Sequence, residues 1–312
     1  MATIIEVKDL TKTFVKQTFW GKVKKRFTAV KDISFTIQKG EFVGFLGPNG
    51  AGKTTTLKML SGILYPTSGE TKVLGYTPWE RKIAFKKRIS MVMGQKSQLW
   101  WELPPLDTFE LYKTIYQISD KHYQQHLNKL IELLEVQDCL NTPVRQLSLG
   151  QRMKCELIAA LLYEPEVLFL DEPTIGLDYQ SQKKMRAFLK QYNQETQATI
   201  LLTSHYMDDI KELCPRIIVI NHGHIIYDGT FAELEKKIHQ EREIHIDFEQ
   251  ENKKADWHQY GKVLNQTPLH IELVVPQTKV AHTIGEITQH YSCTDIKIID
   301  KEAGEIITQL LA

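Results

Sequence analysis

The sequence predicts an α/β fold with a largely parallel, buried sheet over about residues 3–240. Two observations lead to this prediction. Strand and helix patterns alternate along the stretch, and its apolar runs are short and bounded by charged or turn residues. Such runs are typical of central strands that are covered on both faces. The predicted strands are 42–46, 167–170, 199–203 and 217–220.

A helical pattern interrupts this alternation between residues 95 and 147. Apolar residues there recur along one helix face, at Leu127, Leu130, Ile131 and Leu134. We therefore expect the first domain, residues 1–240, to carry a helical insertion over about residues 96–162.

A second domain is expected over residues 241–312, because the composition changes after the charge run at 233–237. Its pattern predicts a small α+β domain. The expected elements are, in order, a strand at 244–248, a strand at 269–275, a helix through Ile284 and Ile287, a strand at 296–299 and a last short helix.

Composition and charge exclude several classes of protein. The 312 residues include 39 Lys and Arg against 38 Asp and Glu, so a net charge of +1 gives no electrostatic case for a nucleic-acid partner. The four cysteines lack metal-type spacing and predict reduced thiols in the cytosol. The N-terminus lacks the order of a secretory signal, and no apolar run approaches the ~18 residues that span a bilayer. Any membrane attachment is therefore expected to come from partners.

Residues 47–54 match the phosphate-loop motif G-x-x-x-x-G-K-[ST], directly after a predicted strand and directly before a predicted helix. The glycines let backbone N–H groups wrap the phosphates, Lys53 reaches the β- and γ-phosphates, and the Thr54 hydroxyl suits Mg²⁺. A plain glycine-rich turn is the alternative, and the complete motif in its required context argues against it. The predicted nucleotide-binding residues are Gly47, Pro48, Asn49, Gly50, Ala51, Gly52, Lys53, Thr54 and Thr55.

Two adjacent carboxylates, Asp171 and Glu172, follow the strand at 167–170. They stand at the carboxyl end of that strand, where ligand sites of α/β sheets lie. We expect Asp171 to hold Mg²⁺ through water, and Glu172 to orient or deprotonate the attacking water. The alternative is a pair of solvated acids at a strand end, which the phosphate loop makes less favourable.

A predicted helix begins near Ser148, which suits an N-cap position. That structural interpretation would suffice if the stretch stood alone. However, it belongs to a set of motifs that follow the phosphate loop in one order: Gln95, the Ser148 stretch, the acid pair, Asp178 and His205. In these motifs the sequence resembles the ATP-binding cassette (ABC) family over about residues 4–235. The resemblance implies a P-loop NTPase core of ABC type that hydrolyses ATP with Mg²⁺.

The resemblance also implies roles for single residues. Gln95 matches the glutamine that contacts Mg²⁺ and the attacking water, and His205 matches the histidine that senses the γ-phosphate. Ser148 and Gly150 match the signature motif, which contacts the ATP held by the opposite subunit, and Asp178 matches the D-loop of the same dimer contact. The implied catalytic residues are Glu172, His205 and Gln95, and the implied Mg²⁺ residues are Thr54, Gln95 and Asp171.

Two positions differ from the usual family pattern. Leu149 stands where the signature has a second glycine, but Ser148 and Gly150 are retained, so the contact across the dimer is still expected. Phe14 looks like the aromatic that stacks on adenine, for which the family commonly has Tyr. The basic segment that follows, 15–28, predicts either a solvated hairpin or a contact with anionic lipid headgroups.

The resemblance implies the ATPase subunit of a transporter with separately encoded membrane subunits. The chain looks like the cassettes of drug, lipid or polysaccharide exporters. It shares with them the single cassette, the residue pattern at 47–56 and 173–178, and the C-terminal extension. The implied partners are two multi-span membrane subunits and a second ABC ATPase subunit. The implied location is peripheral, on the cytoplasmic side of the cell membrane.

A soluble ABC ATPase that acts on ribosomes or DNA is the alternative. Translational members of the family usually carry two cassettes, and DNA-repair members place a long coiled coil before the signature. This chain has one cassette and a short stretch between Lys53 and Ser148. A non-hydrolysing regulator is a third class, which would be expected to lack Glu172 or His205, and both are present.

Trp100 and Trp101 are adjacent, so on an extended segment they face opposite ways and cannot easily share one core. They are either docking residues for a membrane subunit, as the resemblance implies for this region, or one buried and one partly covered residue. Pro104 and Pro105 are expected to delay the next helix to about residue 107 or 108.

Overall fold

The structure is a computed structural model that describes residues 2–17, 23–94, 96–204, 206–238, 241–252 and 255–299. Two compact units divide the chain, Met1–Gly229 and Thr230–Ala312. In the described residues the first unit has two sheets and the second has one, and each unit has a hydrophobic core of its own.

Strands and helices alternate over most of the first unit. Its strands are β1 (Thr3–Gln17), β2 (Val23–Gln38), β3 (Phe42–Leu46), β4 (Ser68–Val73), β5 (Ile89–Met93), β6 (Val167–Asp171), β7 (Thr199–Thr203), β8 (Arg216–Asn221) and β9 (His224–Thr230). Its helices are α1 (Lys53–Leu60), α2 (Ile83–Lys86), α3 (Pro105–Tyr116), α4 (Asp120–Leu134), α5 (Leu149–Leu161), α6 (Tyr179–Thr196) and α7 (Met207–Leu213).

The larger sheet of this unit has the strand order β5-β6-β7-β3-β8-β9. Neighbouring strands from β5 to β8 are parallel. Strands β3, β6 and β7 are buried along their whole length, as their apolar runs predict. All four predicted strands are confirmed. Because these strands are parallel, their carboxyl ends meet at one edge of the sheet, and the predicted site residues follow them there.

A smaller sheet in the same unit is antiparallel, with the order β2-β1-β4. Buried apolar residues alternate with exposed ones along β2, at Ile33, Phe35 and Ile37. The sequence prediction lacks this sheet, although the period of two is visible in its strands. Strands β1 and β2 pair as far as Gln17 and Val23, which fits a hairpin at 15–28, and residues 18–22 lie outside the described part.

Helices α3, α4 and α5 occupy the predicted helical insertion. Helix α4 buries Leu127, Leu130 and Leu134 on one face, as the periodicity predicts. Helix α3 begins at Pro105, so the predicted delay to residue 107 or 108 is wrong. The first helical residues have no intrahelical acceptor for their N–H groups, and proline is therefore well tolerated there.

The second unit contains α8 (Phe231–Ile238), β10 (Glu241–Phe248), β11 (Lys262–Thr267), β12 (His270–Pro276), α9 (Val280–His290) and β13 (Cys293–Ile299). Its antiparallel sheet has the order β11-β12-β10-β13. The predicted helix and the strands at 244–248, 269–275 and 296–299 are confirmed. Strand β11 is absent from the prediction because it is mostly exposed and lacks apolar alternation. The predicted last short helix falls outside the described residues.

Candidate nucleotide site

The phosphate loop connects β3 to α1. Gly47 and Gly52 in this loop have φ angles of +149° and +115°, which favour glycine. A Cβ atom on Gly47 would lie 2.1 Å from the Ile220 carbonyl oxygen, and one on Gly52 would lie 2.5 Å from the Ala29 carbonyl oxygen. Conformation and space therefore both require these glycines. The loop ends at the N-terminus of α1, whose outward N–H groups and dipole favour a phosphate.

The Lys53 side chain lies across the loop. The residue is only 5% exposed, and Nζ donates hydrogen bonds to the carbonyl oxygens of Gly47 at 2.7 Å and Pro48 at 3.0 Å. Burial lowers the pKa of Lys53, while the negative charges of Glu172 and Asp171 act against this shift. Charged phosphate oxygens would be stronger partners for this ammonium group than neutral carbonyls. The position of Lys53 thus fits a phosphate contact.

Asp171 ends β6 and is 8% exposed. Its Oδ1 atom accepts hydrogen bonds from the Thr54 hydroxyl at 2.9 Å and from the Thr203 hydroxyl at 2.8 Å. The hydroxyl and the carboxylate that the sequence predicts for Mg²⁺ are therefore in direct contact. Oxygen ligands of this kind fit Mg²⁺, which takes one or two protein ligands and completes its shell with water and substrate phosphates.

Thr203 is a site residue that has no place in the sequence prediction. It ends β7, and its carbonyl oxygen accepts the backbone N–H of Glu172 at 3.0 Å. Through its hydroxyl it also contacts Asp171. Thr203 could be found only from the strand order of the sheet. Because β7 is the neighbour of β6, the last residues of these two strands meet.

Glu172 has a φ angle of +57°, in the left-handed region that few non-glycine residues occupy. Such strained residues concentrate at functional sites. The left-handed conformation ends the extended course of β6 directly after Asp171. A depression at this edge of the sheet is lined by Thr54, Lys58, Met93, Lys96, Asp171 and Glu172. The acid pair thus borders the same space as the predicted Mg²⁺ hydroxyl.

Gly94 fixes the end of β5 against the acid pair. Its N–H donates to the Asp171 carbonyl oxygen at 2.9 Å, and a Cβ atom on Gly94 would lie 2.4 Å from the Glu172 carbonyl oxygen. Only glycine allows this close approach, and the residue is missing from the sequence prediction. Gln95 and His205 lie outside the described residues, so their roles stay predictions.

Asp209, on α7, connects two segments next to the site and is fully buried. Its Oδ2 atom accepts the hydroxyls of Thr174 at 2.5 Å and Ser204 at 2.6 Å, and its Oδ1 atom accepts Arg186 Nη1 at 3.1 Å. Thr174 lies four residues before Asp178, the predicted D-loop residue, and Ser204 directly precedes the predicted switch histidine. Breaking a buried ion pair costs about 3–5 kcal/mol. Asp209 and Arg186 therefore hold these two segments firmly together.

Ser148 is the N-cap of α5, as its sequence position predicts. Its hydroxyl accepts the backbone N–H of Gln151 at 3.1 Å, and the Gln151 side chain accepts the Ser148 N–H at 3.0 Å. These two bonds form a capping box. The start of a helix also presents N–H groups outward, which suits a phosphate from another subunit. The structural and the functional interpretation of Ser148 are thus compatible.

The segments that the resemblance assigns to the dimer contact lie together. Leu149 packs directly on Gly176. A Cβ atom added to Gly176 would lie only 2.4 Å from Leu149 Cδ2. A Cβ atom on Gly150 would lie 3.7 Å from Ser181 Oγ. Asp178 caps α6 by accepting the Ser181 N–H at 3.0 Å and the Ser181 hydroxyl at 2.6 Å, and these bonds lower the pKa of Asp178. The signature residues and Asp178 therefore share one surface.

Phe14 lies on β1, opposite Phe27 of β2. Its side chain is partly exposed, and Lys12 Nζ lies 5.3 Å from the ring centroid, within the range of a cation–π contact. An exposed ring on a paired strand fits a stacking role toward a flat ligand.

Comparisons with known proteins agree with this site. A family model described as "ABC transporter" matches residues 30–175. The ATP-binding protein NatA of Bacillus subtilis is 35% identical over 225 residues, which cover 72% of this chain and 91% of NatA. The chain belongs to the ABC transporter family. A second family model, "EvrA-like ABC transporter, C-terminal domain", matches residues 240–298 of this ABC protein.

Other relatives and solved structures extend the comparison. The linearmycin resistance ATP-binding protein LnrL of Bacillus subtilis is 35% identical, with 68% of each chain covered. The bacitracin transport ATP-binding protein BcrA of Bacillus licheniformis is 31% identical, with 76% of this chain and 73% of BcrA covered. A dimeric structure of the ATP-binding cassette MJ0796 bound to ADP and Pi superimposes with a TM-score of 0.64 at 26% identity, covering 72% of this chain and 98% of that one.

These findings confirm the ABC resemblance and the P-loop ABC fold class. NatA and BcrA are named as ATP-binding proteins of transport, which does not support the alternative of an ATPase that acts on ribosomes or DNA. In the part of this ABC protein that the structure describes, no helix is both long enough and apolar enough to cross a bilayer.

Trp100 and Trp101 of the ABC protein are 57% and 52% exposed. The alternative in which one of them is buried is therefore wrong. Their loop is nevertheless held in place: the Trp101 carbonyl oxygen accepts the Arg145 N–H at 3.0 Å, and the Trp100 carbonyl oxygen accepts the Leu103 N–H at 3.1 Å. Because the loop is tied at both residues, the two rings protrude from a fixed backbone.

Glu156 also anchors the loop of Trp100 and Trp101, and the sequence analysis does not predict this role. It lies on α5 and is 2% exposed. Its carboxylate accepts the Ser97 hydroxyl, and both oxygens accept the Gln98 N–H at 3.0 Å. Burial raises the pKa of Glu156, and these hydrogen bonds act against that shift. The Glu156 carboxyl group thus pins the residues that precede the two tryptophans.

Proposed function

We propose that this chain is the Mg²⁺-dependent, ATP-hydrolysing subunit of an exporter, and that two copies close around two ATP molecules. The observation that carries the proposal is the direct contact of Thr54 with Asp171, beside Glu172 and the phosphate loop. This contact supports Thr54 and Asp171 as the Mg²⁺ residues, with Glu172 as the candidate general base at the same edge of the sheet. Mg²⁺ would neutralise charge on the β- and γ-phosphates when bound.

Each residue at this edge of the sheet then has a proposed chemical role. Lys53 exchanges its two carbonyl partners for phosphate oxygens, because charge-assisted hydrogen bonds are the stronger ones. Thr54 and Asp171 hold the metal, with Gln95 as a further expected ligand. Glu172 orients or deprotonates the attacking water, and His205 is expected to contact the γ-phosphate.

The surface formed by Ser148, Gly150 and Asp178 is proposed to complete the ATP site of a second copy. The hydrogen bonds described for Ser148 and Asp178 fix their own helix ends rather than the phosphate loop. These residues are therefore better placed to act on another subunit than on their own site. Asp209 accepts hydrogen bonds from Thr174, which precedes Asp178 in the chain, and from Ser204, which precedes the predicted switch histidine. The proposed dimer surface and the segment of that histidine are therefore connected.

Export is the proposed direction, supported by the relatives named for linearmycin resistance and for multidrug transport. A methionine import protein of Enterococcus faecalis is also 32% identical. Uptake into inverted membrane vesicles would measure the direction of transport.

The proposed partners are two multi-span membrane subunits, docked at the exposed pair Trp100 and Trp101 on the cytoplasmic side of the membrane. Exposed aromatics on a fixed loop are typical interface anchors, because little conformational entropy is lost when they are covered. Tagged wild-type chain extracted from membranes in mild detergent should bring down multi-span membrane proteins. Recovery of ribosomal proteins or nucleic acid in their place would overturn the proposal in favour of the alternative.

Replacing Trp100 and Trp101 by Ala should reduce this co-purification by about tenfold or more, since truncating one central anchor costs about 2 kcal/mol. ATPase activity of the isolated chain should stay near wild type. Tyr65→Ala with Ile83→Ala is a matched control, because these residues are 60% and 70% exposed elsewhere on the same unit. Undiminished co-purification, or collapse of the isolated fold, would show that the tryptophans are not docking residues.

A further inference from the structure

The sheet of the second unit has an apolar and a polar face. Strand β10 buries its even-numbered residues from 244 to 248 in the core, and its odd-numbered residues therefore lie on the other face: Glu243, His245 and Asp247. The strand register places Glu272 of β12 opposite His245, and His270 opposite Asp247. Five titratable side chains thus adjoin one another on the polar face.

Each histidine of this cluster has one ring nitrogen toward Glu272 and the other toward a second carboxylate. For His270, Nε2 lies 3.2 Å from Glu272 Oε1, and Nδ1 lies 2.6 Å from Asp247 Oδ1. For His245, Nδ1 lies 3.9 Å from Glu272 Oε1, and Nε2 lies 3.8 Å from Glu243 Oε2. Ligand atoms of His245, His270 and Glu272 all lie within 4.8 Å of one another.

The Nε2 atom of His245, the ring nitrogen that faces Glu243, differs from the other ring nitrogens of the cluster. Nε2 is buried and has no hydrogen-bond partner among the residues that the structure describes. Buried polar atoms are nearly always paired, so this atom needs an explanation. A cation on Nδ1 would fix the tautomer that carries its proton on Nε2, with Glu243 as the nearby acceptor. The pair of His270 and Asp247 already shows this arrangement.

The charge of the polar face also favours a cation. Three carboxylates belong to the cluster, and they surround two histidines. Strand β13 places Lys297 opposite His245, but its Nζ lies 3.0 Å from Asp295 Oδ2 and is engaged with that acid. Even with both histidines protonated, the three carboxylates of the cluster would leave one negative charge on this face, because Lys297 is balanced by Asp295.

We propose that His245, His270 and Glu272 form a binding site for a divalent transition metal of the Zn²⁺ class, with Asp247 and Glu243 orienting the two imidazoles. Two imidazoles and one carboxylate are a donor set that suits Zn²⁺. Zn²⁺ bonds of about 2.0–2.2 Å imply ligand separations of about 3.3–3.5 Å in a tetrahedron. The separations of 3.2–3.9 Å to Glu272 approach this without movement of the strands. All three residues are partly exposed, so an ion can enter, and water can take the fourth position.

The test is metal binding to the full chain in the absence of nucleotide. After removal of metal with a chelator, titration with Zn²⁺ should show one site in the second unit, and Co²⁺ should give the absorption bands of a tetrahedral complex at the same stoichiometry. His270→Ala, His245→Ala and Glu272→Gln should each abolish the Co²⁺ bands. Asp247→Asn, which changes only an outer partner, should weaken affinity by about 10–100-fold.

His258→Ala is the matched control, because His258 is an exposed histidine of the same unit and lies outside the cluster. It should bind the metal as the wild type does. Glu272→Gln keeps the shape of the side chain, so it tests the site even where an alanine variant fails to fold. Absence of Zn²⁺ binding by the wild type, or equal binding by Glu272→Gln and His258→Ala, would overturn the proposal. Both outcomes are independent of ATP hydrolysis and of the proposed transport function.

Discussion

Glu172→Gln is expected to lower steady-state ATP hydrolysis by about 10²–10⁴-fold, the range that general-base catalysis contributes. The amide keeps the shape of the side chain but cannot accept a proton. The backbone of residue 172 is fixed by the Thr203 carbonyl oxygen, so the glutamine is presented from the same place. Lys53, Thr54 and Asp171 are unchanged, and ATP affinity should therefore stay within a few-fold of the wild type.

The measurement is phosphate release at saturating Mg-ATP, combined with equilibrium binding of ATP. Glu70→Gln is a matched control, because Glu70 is an exposed carboxylate on β4 of the same unit. It should hydrolyse ATP at the wild-type rate. If Glu172→Gln also kept the wild-type rate, Glu172 would have no catalytic role.

Lys53→Ala is expected to weaken ATP binding by about 10- to 100-fold, since a hydrogen bond to a charged group contributes about 1.5–3 kcal/mol. The substitution deletes the ammonium group that faces the β- and γ-phosphates. It also leaves the Gly47 and Pro48 carbonyl oxygens without their present donor, so the loop itself loses two hydrogen bonds.

Binding of a non-hydrolysable ATP analogue measures this effect directly, with circular dichroism as a check on folding. Lys72→Ala is the control, because Lys72 is an exposed lysine on β4 whose ammonium group bonds only to Thr77 among the hydrogen bonds described. An unchanged dissociation constant for Lys53→Ala, together with lost hydrolysis, would move Lys53 from binding to catalysis.

Local patterns suffice for the parts of the fold that are buried on both faces. Strands β3 and β7 coincide with the predicted 42–46 and 199–203, because a central strand needs an unbroken apolar run and ends where that run ends. The phosphate loop is also predictable from local sequence, but for another reason. Backbone conformation and the lack of space for a Cβ atom require its glycines. Strand β11, exposed along most of its length, carries no such pattern.

The missed site residues depend on topology rather than on local sequence. Thr203 meets Asp171 only because β7 is the neighbour of β6, and Gly94 meets Glu172 only because β5 lies on the other side. Asp209 acts through Thr174 and Ser204, which are distant in sequence or belong to another element. Glu156 on α5 anchors the loop of Trp100 in the same way. Apart from the contact of Asp209 with Ser204, five residues away, no short window of sequence contains both partners of these contacts.

Mass measurement by light scattering of the Glu172→Gln chain at saturating Mg-ATP tests most directly whether each ATP site is completed by the Ser148 surface of a second copy. Without nucleotide, the mass should correspond to one chain of 36.1 kDa. With Mg-ATP it should double, because the unhydrolysed nucleotide holds the two copies together. Adding Ser148→Arg to the same chain should restore the monomer, at a cost of about 1 kcal/mol for the lost helix cap, which the fold can sustain. A monomer of Glu172→Gln at saturating Mg-ATP, or a dimer that Ser148→Arg leaves unchanged, would contradict the proposed site.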